Sequence, residues 1–168
     1  MGATDKRRWS SDAEFRADWS DRHVLLARWV LPGDHVVDLG SGPRAFERQL
    51  PKDCMYTPVD VVERGPGSKV CDFNREPMPG VRGDFVLMSG VLEYIHDPAA
   101  FLASARKLGG RGALSYGTLE ESPRLAERRR KGWLNDLRES DLIELLQSAG
   151  WSIVSRDTWN YQVLLKLS

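Results

Sequence analysis

Residues 36–42 read Val-Val-Asp-Leu-Gly-Ser-Gly. Two β-branched apolar residues lead into Asp38, two glycines follow two residues apart, and Pro43 to Leu50 then reads as a helix. This is the pattern of a buried strand that ends in an acid and turns tightly into a helix. Gly40 and Gly42 let the chain turn sharply and bring bare backbone close to a ligand. A helix beginning there aims its unpaired N–H groups and the positive end of its dipole at the turn. Strand, glycine turn and helix together predict a nucleotide-like cofactor at the carboxyl end of the strand. Asp38 narrows the choice. A carboxylate two residues before the first glycine repels a pyrophosphate and suits a cofactor with a cationic amino-acid end.

Outward from this turn, strands and helices alternate. Strands are expected at 34–39, 55–60, 69–71, 83–88, 111–116, 151–157 and 161–167. Asp97-Pro98 predicts the capped start of a helix running to Leu108, with Gly109-Gly110 ending it. Leu142, Leu145, Leu146 and Ala149 mark the apolar face of a helix over 139–149. Upstream, Ser11-Asp12-Ala13-Glu14 has capping-box form. Phe15, Trp19, Val24, Leu26 and Val30 suggest a helical stripe, with a break near Ser20-Asp21. Alternation of this kind predicts a doubly wound, Rossmann-like α/β sheet of seven mostly parallel strands. The few residues around Trp159-Asn160 are too short for a parallel crossover, so the last strand should be antiparallel. The expected organisation is one domain over 1–168, with 1–32 a helical cover and 34–168 the core.

Composition excludes several classes of partner. Lys plus Arg and Asp plus Glu are 24 each, so no global field draws the chain to nucleic acid or to an anionic membrane. Cys54 and Cys71 are the only cysteines, which fits free thiols in a reducing cytoplasm rather than a disulfide framework. The charged N-terminus has no apolar stretch behind it, and Lys6 stands where a myristoylation pattern requires Ser or Thr. His23 and His35 are isolated, and no Cys/His spacing predicts a metal site.

The motifs resemble those of the class I S-adenosylmethionine-dependent methyltransferases, in particular the small, single-domain, methyltransferase type 11-like members. "VVDLGSG" fits their first motif. Asp60 ends the run Met55-Tyr-Thr-Pro-Val-Asp60, twenty residues beyond Gly40, and is placed to accept both ribose hydroxyls. Asp72-Phe73 stands where the family meets the adenine amino group. "DFVLMSGVLEYIHDP" (Asp84 to Pro98) resembles the fourth strand and its loop, and "SAGW" (Ser148 to Trp151) the C-terminal end. The resemblance spans residues 34–168 and implies S-adenosyl-L-methionine as cofactor, in-line methyl transfer to O or N, and a small-molecule acceptor. The implied cofactor contacts are Asp38, Gly40, Ser41, Gly42, Asp60, Val61, Asp72, Phe73 and Ser89, with Trp19 covering the methionine end. One departure keeps a second class open. The family's third glycine is Arg44 here, and Gly40-Ser-Gly-Pro-Arg-Ala45 also fits a dinucleotide turn with Arg44 as a phosphate partner. An NAD(P)-binding oxidoreductase fragment and a non-catalytic S-adenosylmethionine-binding subunit are therefore the alternatives.

A general base is needed only for an acceptor that loses its proton late. The candidates are Glu93, Tyr94 and His96, with Tyr94 at a position where many relatives carry His. Downstream, Arg124, Arg128, Arg129, Arg130 and Lys131 precede Gly132-Trp133. Either this is a solvated helix, or Arg129, Arg130 and Trp133 hold an anionic group of the acceptor. Trp9, Trp29, Trp151 and Trp159 are expected in packing roles.

Overall fold

The computed structural model describes residues 4–11, 15 and 18–168. The apolar runs of the sequence become strands, the central ones buried on both faces as parallel sheets require. They are β1 (His35–Leu39), β2 (Met55–Asp60), β3 (Lys69–Val70), β4 (Phe85–Ser89) and β5 (Arg111–Tyr116), followed by β6 (Ile153–Trp159) and β7 (Gln162–Leu167). The seven form one sheet in the order β3-β2-β1-β4-β5-β7-β6. Pairing is parallel from β3 through β5, and β7 runs antiparallel to both β5 and β6. The predicted doubly wound sheet with its antiparallel last strand is thus the observed one. The order reverses between β1 and β4, which opens a crevice beyond the carboxyl ends of those two strands.

Successive side chains of a strand point to opposite faces, and β1 divides the core accordingly. Val37 and Leu39 pack with Leu102, Ala105, Leu142 and Leu146 on one side. Val36 packs with Leu26, Val30 and Phe46 on the other. The first side is covered by α3 (Pro98–Arg106) and by α5 (Glu139–Ser148), which follows α4 (Leu125–Arg130). As the sequence predicts, Asp97 caps α3, its carboxylate accepting from the Ala100 N–H at 3.0 Å, with Pro98 in the first turn. The second side is covered by α2 (Trp19–Ala27), while α1 (Lys6–Trp9) precedes it in the cover.

Several expectations are corrected. The segment after the glycine turn is a 3-10 helix of five residues, Ala45–Gln49, and not a helix from Pro43 to Leu50. Arg44 before it adopts the left-handed backbone, φ 60°. A turn this short contributes no macrodipole of note. α2 runs without a break at Ser20-Asp21, and Val24 is exposed. Residues 12–14 of the capping-box motif lie outside the described residues. β4 begins at Phe85 rather than 83, because Gly83 lies against the backbone of His35, where an added Cβ would come within 2.5 Å of the carbonyl oxygen. β6 begins at Ile153 rather than 151. Trp151 instead sinks into the core and donates to the Leu102 carbonyl at 3.2 Å.

Gly112 in β5 shows how tightly the central strands pack. A Cβ there would lie 2.5 Å from the Val86 carbonyl oxygen of β4, an atom held in the sheet. Gly112→Ala should therefore lower unfolding free energy by about 3 kcal/mol, read as a lower midpoint in urea with an unchanged slope.

Candidate active site

The crevice at the β1/β4 reversal holds a cavity of about 400 Å³. Its floor is the turn after β1. Gly40 N–H and Ser41 N–H both donate to the Val59 carbonyl, at 2.8 and 3.2 Å. Asp60 takes the Gly42 N–H on one oxygen (2.8 Å) and the Val62 N–H on the other (3.0 Å). The end of β2 thus holds the turn that follows β1. Both glycines sit at positive φ, and their missing side chains have distinct uses. A Cβ on Gly40 would come within 2.7 Å of Val91, and one on Gly42 within 2.8 Å of the Phe15 ring. Gly40 therefore admits the loop after β4, and Gly42 admits the cover. Arg44, in the place of a third glycine, accepts the left-handed conformation itself. Its guanidinium is held by Glu47 and by the carbonyls of Arg64 and Pro66.

All ten residues that the sequence assigned to the cofactor line this one cavity: Asp38, Gly40, Ser41, Gly42, Asp60, Val61, Asp72, Phe73, Ser89 and Trp19. Asp72 shapes a turn while it lines the cavity. Its Oδ1 accepts from the Asn74 N–H at 3.1 Å and from the Thr4 hydroxyl at 2.5 Å. The cover closes the opposite side. Trp9 and Phe15 join Trp19 on the cavity wall, and Trp9 meets Tyr94 edge-on with ring centroids 4.7 Å apart. Trp9 is therefore part of the site and not simple packing.

Burial sets the electrostatics. The Asp38 carboxyl, which accepts the Tyr56 hydroxyl at 2.5 Å, is pushed up to about 7 by desolvation, with the Tyr56 hydrogen bond opposing. His23 is pushed down to about 3 by burial and by the neighbouring Arg22 charge, so its imidazole is neutral. The hydroxyls of Ser41 and Ser89 are buried on the cavity wall without a partner among the described residues. Unpartnered buried donors of this kind are what a polar ligand satisfies.

The three candidate bases separate. Tyr94 lines the cavity and accepts from Trp133 Nε1 at 3.3 Å, and burial pushes its hydroxyl up. Glu93 is wholly buried behind the wall, where its Oε1 accepts from Gly117 N–H (3.0 Å) and Gln162 Nε2 (2.8 Å). His96 is exposed and lines a separate shallow pocket with Phe73, Pro77 and Asp97. Its backbone N–H donates to Asn74.

The arginine segment is corrected too, because none of it lines the cavity. Arg129 pairs with Asp136, and Arg130 is exposed near Glu127. Trp133 is buried against Gly117, with the Arg128 guanidinium 4.6 Å from its ring centre. The solvated-helix alternative fails at Arg128. This side chain is fully buried and donates to the Gly117 carbonyl (2.7 Å), the Tyr116 hydroxyl (3.0 Å), the Asn135 carbonyl (3.0 Å) and Asp136 (2.7 Å). Sequence reasoning missed Arg22, Thr4 and Asn74. Arg22 alone had a signal, because it stands one helical turn after Trp19 and so shares its face.

Gly40→Ala should destabilise the fold through two additive causes, the left-handed backbone and the contact with Val91. Together these amount to roughly 2–4 kcal/mol. Adding Val91→Ala should recover the contact part and leave the backbone part, as read by urea unfolding of the single and double variants.

No family model matches the chain, and no curated protein matches it in sequence. Solved structures do match in fold. One is the complex between the Haloferax volcanii Trm112 methyltransferase activator and a methyltransferase. It has a TM-score of 0.76 at 16% identity, covering 99% of this chain and 97% of the other. A second is the N-methyltransferase NodS from Bradyrhizobium japonicum with S-adenosyl-L-homocysteine, at 0.71 and 18%, covering 96% and 94%. A third is the Burkholderia thailandensis 1,6-didemethyltoxoflavin-N1-methyltransferase with bound 1,6-didemethyltoxoflavin and S-adenosylhomocysteine, at 0.66 and 19%, covering 95% and 79%. With its strand order, its glycine turn and the cavity between β1 and β4, the chain has the fold of the class I S-adenosylmethionine-dependent methyltransferases.

Proposed function

We propose that the chain is an S-adenosylmethionine-dependent methyltransferase acting on a small molecule. The observation that carries this is the convergence of Asp38, the Gly40–Gly42 turn, Asp60 and Asp72 on one cavity at the β1/β4 reversal. The residues fit the cofactor chemically. Asp38 suits an ammonium, Asp60 presents a carboxylate at the end of β2 for a ribose, and Ser41 and Ser89 offer unpartnered hydroxyls. Bound there, S-adenosylmethionine would supply a methyl group already activated on a sulfonium. The dinucleotide alternative loses its support at Arg44, whose guanidinium is committed to Glu47 and two carbonyls.

The protein's own work is then positioning and exclusion of water. Trp9, Phe15, Trp19 and Tyr94 form an aromatic wall around the cavity. Among the described residues, none of the candidate bases is well placed on it: His96 is outside, Glu93 is sealed behind and the Tyr94 hydroxyl is pushed up, while His23 is held neutral. This favours acceptors whose nucleophile, O or N, already carries a free electron pair at neutral pH. The didemethyltoxoflavin enzyme, solved with 1,6-didemethyltoxoflavin bound, supports a small-molecule acceptor. A cytoplasmic location goes with this proposal, and the two free cysteines support it.

Calorimetry tests the cofactor step. S-adenosylhomocysteine should bind, and NAD(P) should not. Asp38 starts near pKa 7 and must ionise against the ligand's ammonium, so binding should release a proton at pH 6 and almost none at pH 8. Affinity should accordingly rise with pH between about 5 and 7. Asp38→Asn should abolish both the proton release and the pH dependence. Binding of NAD(P) with no response to S-adenosylhomocysteine would overturn the proposal, and turnover to S-adenosylhomocysteine separates an enzyme from a non-catalytic binder.

A further inference from the structure

The aromatic wall of the cavity is backed by cations. Trp9 meets Tyr94 at 82° with ring centroids 4.7 Å apart, and Phe15 links Trp9 to Trp19 at 6.0 and 6.1 Å. The four rings thus form one continuous surface of the cavity. Three of them carry a guanidinium. The central carbons of Arg8, Arg64 and Arg22 lie 5.2, 5.1 and 5.3 Å from the ring centres of Trp9, Phe15 and Trp19, within the reach of a cation–π contact. Arg8 and Arg64 do not line the cavity and so stand behind the rings, while Arg22 lines it and Arg48 is exposed at its lip. Arg64 is tied to the cover through the Trp9 carbonyl, to which it donates at 2.6 Å.

The acids of the same region are engaged. Asp60 holds the Gly42 turn and lies 3.4 Å from Arg64. Asp72 accepts the Thr4 hydroxyl and the Asn74 N–H, and Asp38 accepts the Tyr56 hydroxyl. Glu93 stays behind the wall with Gly117 and Gln162, and His23 is neutral. The wall is therefore apolar in substance and positive in field. Rings backed in this way repel a second cation and attract an anion. Tyr94 shows the field acting on a phenol: burial and Glu93 push its hydroxyl up, and the Arg8 charge works against them.

We propose that the methyl acceptor is a planar aromatic or heteroaromatic acid, with a phenol-type O–H or an acidic ring N–H, which this wall binds as its anion. The acceptor class rests on the methyltransferase reading above. Flat rings stack against the edges and faces that the wall presents. No side chain then has to take the acceptor's proton, which leaves to solvent on binding because the guanidinium field favours the ionised form. The anion's electron pair forms the new bond to the methyl carbon, and the pair of the broken carbon–sulfur bond stays on sulfur. A negative and a positive centre become two neutral ones, a change that a water-poor aromatic site favours.

The test uses 4-nitrophenol, which is yellow only as its anion, on the whole chain loaded with S-adenosylhomocysteine. That ligand has no sulfonium, so a shift in the dye belongs to the protein. Absorbance titration should show the bound dye about tenfold more acidic than the free dye. 4-Nitroaniline, a neutral molecule of the same shape, should bind about tenfold more weakly at pH 8. Arg8→Met and Arg64→Met should each reduce the dye's shift, Arg64→Lys should keep most of it, and Trp9→Ala should weaken both probes. If Arg64→Met fails to fold, the half-buried Arg8 decides through Arg8→Met. An unshifted or less acidic bound dye, equal affinity for the two probes, or saturable binding of neither overturns the acceptor class and leaves the cofactor reading standing. So does a shift that is the same in both arginine variants, or dye binding indifferent to Trp9→Ala. If S-adenosylhomocysteine itself does not bind, the methyltransferase reading is wrong and the acceptor class falls with it.

Discussion

The carboxylate at the end of β2 carries the site. Asp60 accepts the Gly42 N–H with one oxygen and the Val62 N–H with the other, and so fixes the turn of a neighbouring strand. Polar backbone that turns beneath a cavity has no ladder to satisfy it, so an acceptor must come from elsewhere. Once that turn is held, Gly40 receives Val91 and Gly42 receives Phe15. The loop after β4 and the N-terminal cover are thereby placed relative to β1. Each wall of the cavity refers back to two hydrogen bonds made by one side chain.

A second buried carboxylate organises the side away from the turn. Glu93 joins four segments: its own loop, the end of β5 through Gly117, the start of β7 through Gln162, and the stretch after α4 through the Leu134 N–H on its carbonyl. Burial pushes its carboxyl up, and the N–H donors and the Arg22 charge work against that. Arg128 does the corresponding work one layer out, closing the segment after β5 onto Tyr116, Asn135 and Asp136. Glu93, a catalytic candidate in the sequence, and Arg128 of the arginine segment thus serve as internal scaffolding.

Much of the fold is legible in the chain itself. The limits of β2 and β5, the Asp97-Pro98 cap and the antiparallel last strand follow from local pattern, because strand period, capping and turn length are local properties. The cofactor-side residues other than Trp19 are legible for the same reason, since they lie at or just beyond strand ends and strand ends converge by topology. What fails is non-local. Whether Arg129 faces a substrate or Asp136 depends on how residues 131–136 fold back. Whether Arg22 is buried depends on Gln162, 140 residues away. The helix expected after the glycine turn shortens because Arg44 takes a left-handed backbone, which interrupts helical propagation at its first residue.

The outer strands carry a consequence for solubility. β3 is two residues long, so that border of the sheet exposes almost no backbone for another chain to pair with. At the opposite border, β6 has a register irregularity between Ile153 and Ser155 and presents Arg156 and Asp157. Short strands, irregularities and charges at a margin all discourage intermolecular strand pairing. A sheet with a strongly apolar interior is thereby discouraged from growing beyond its own seven strands at either side.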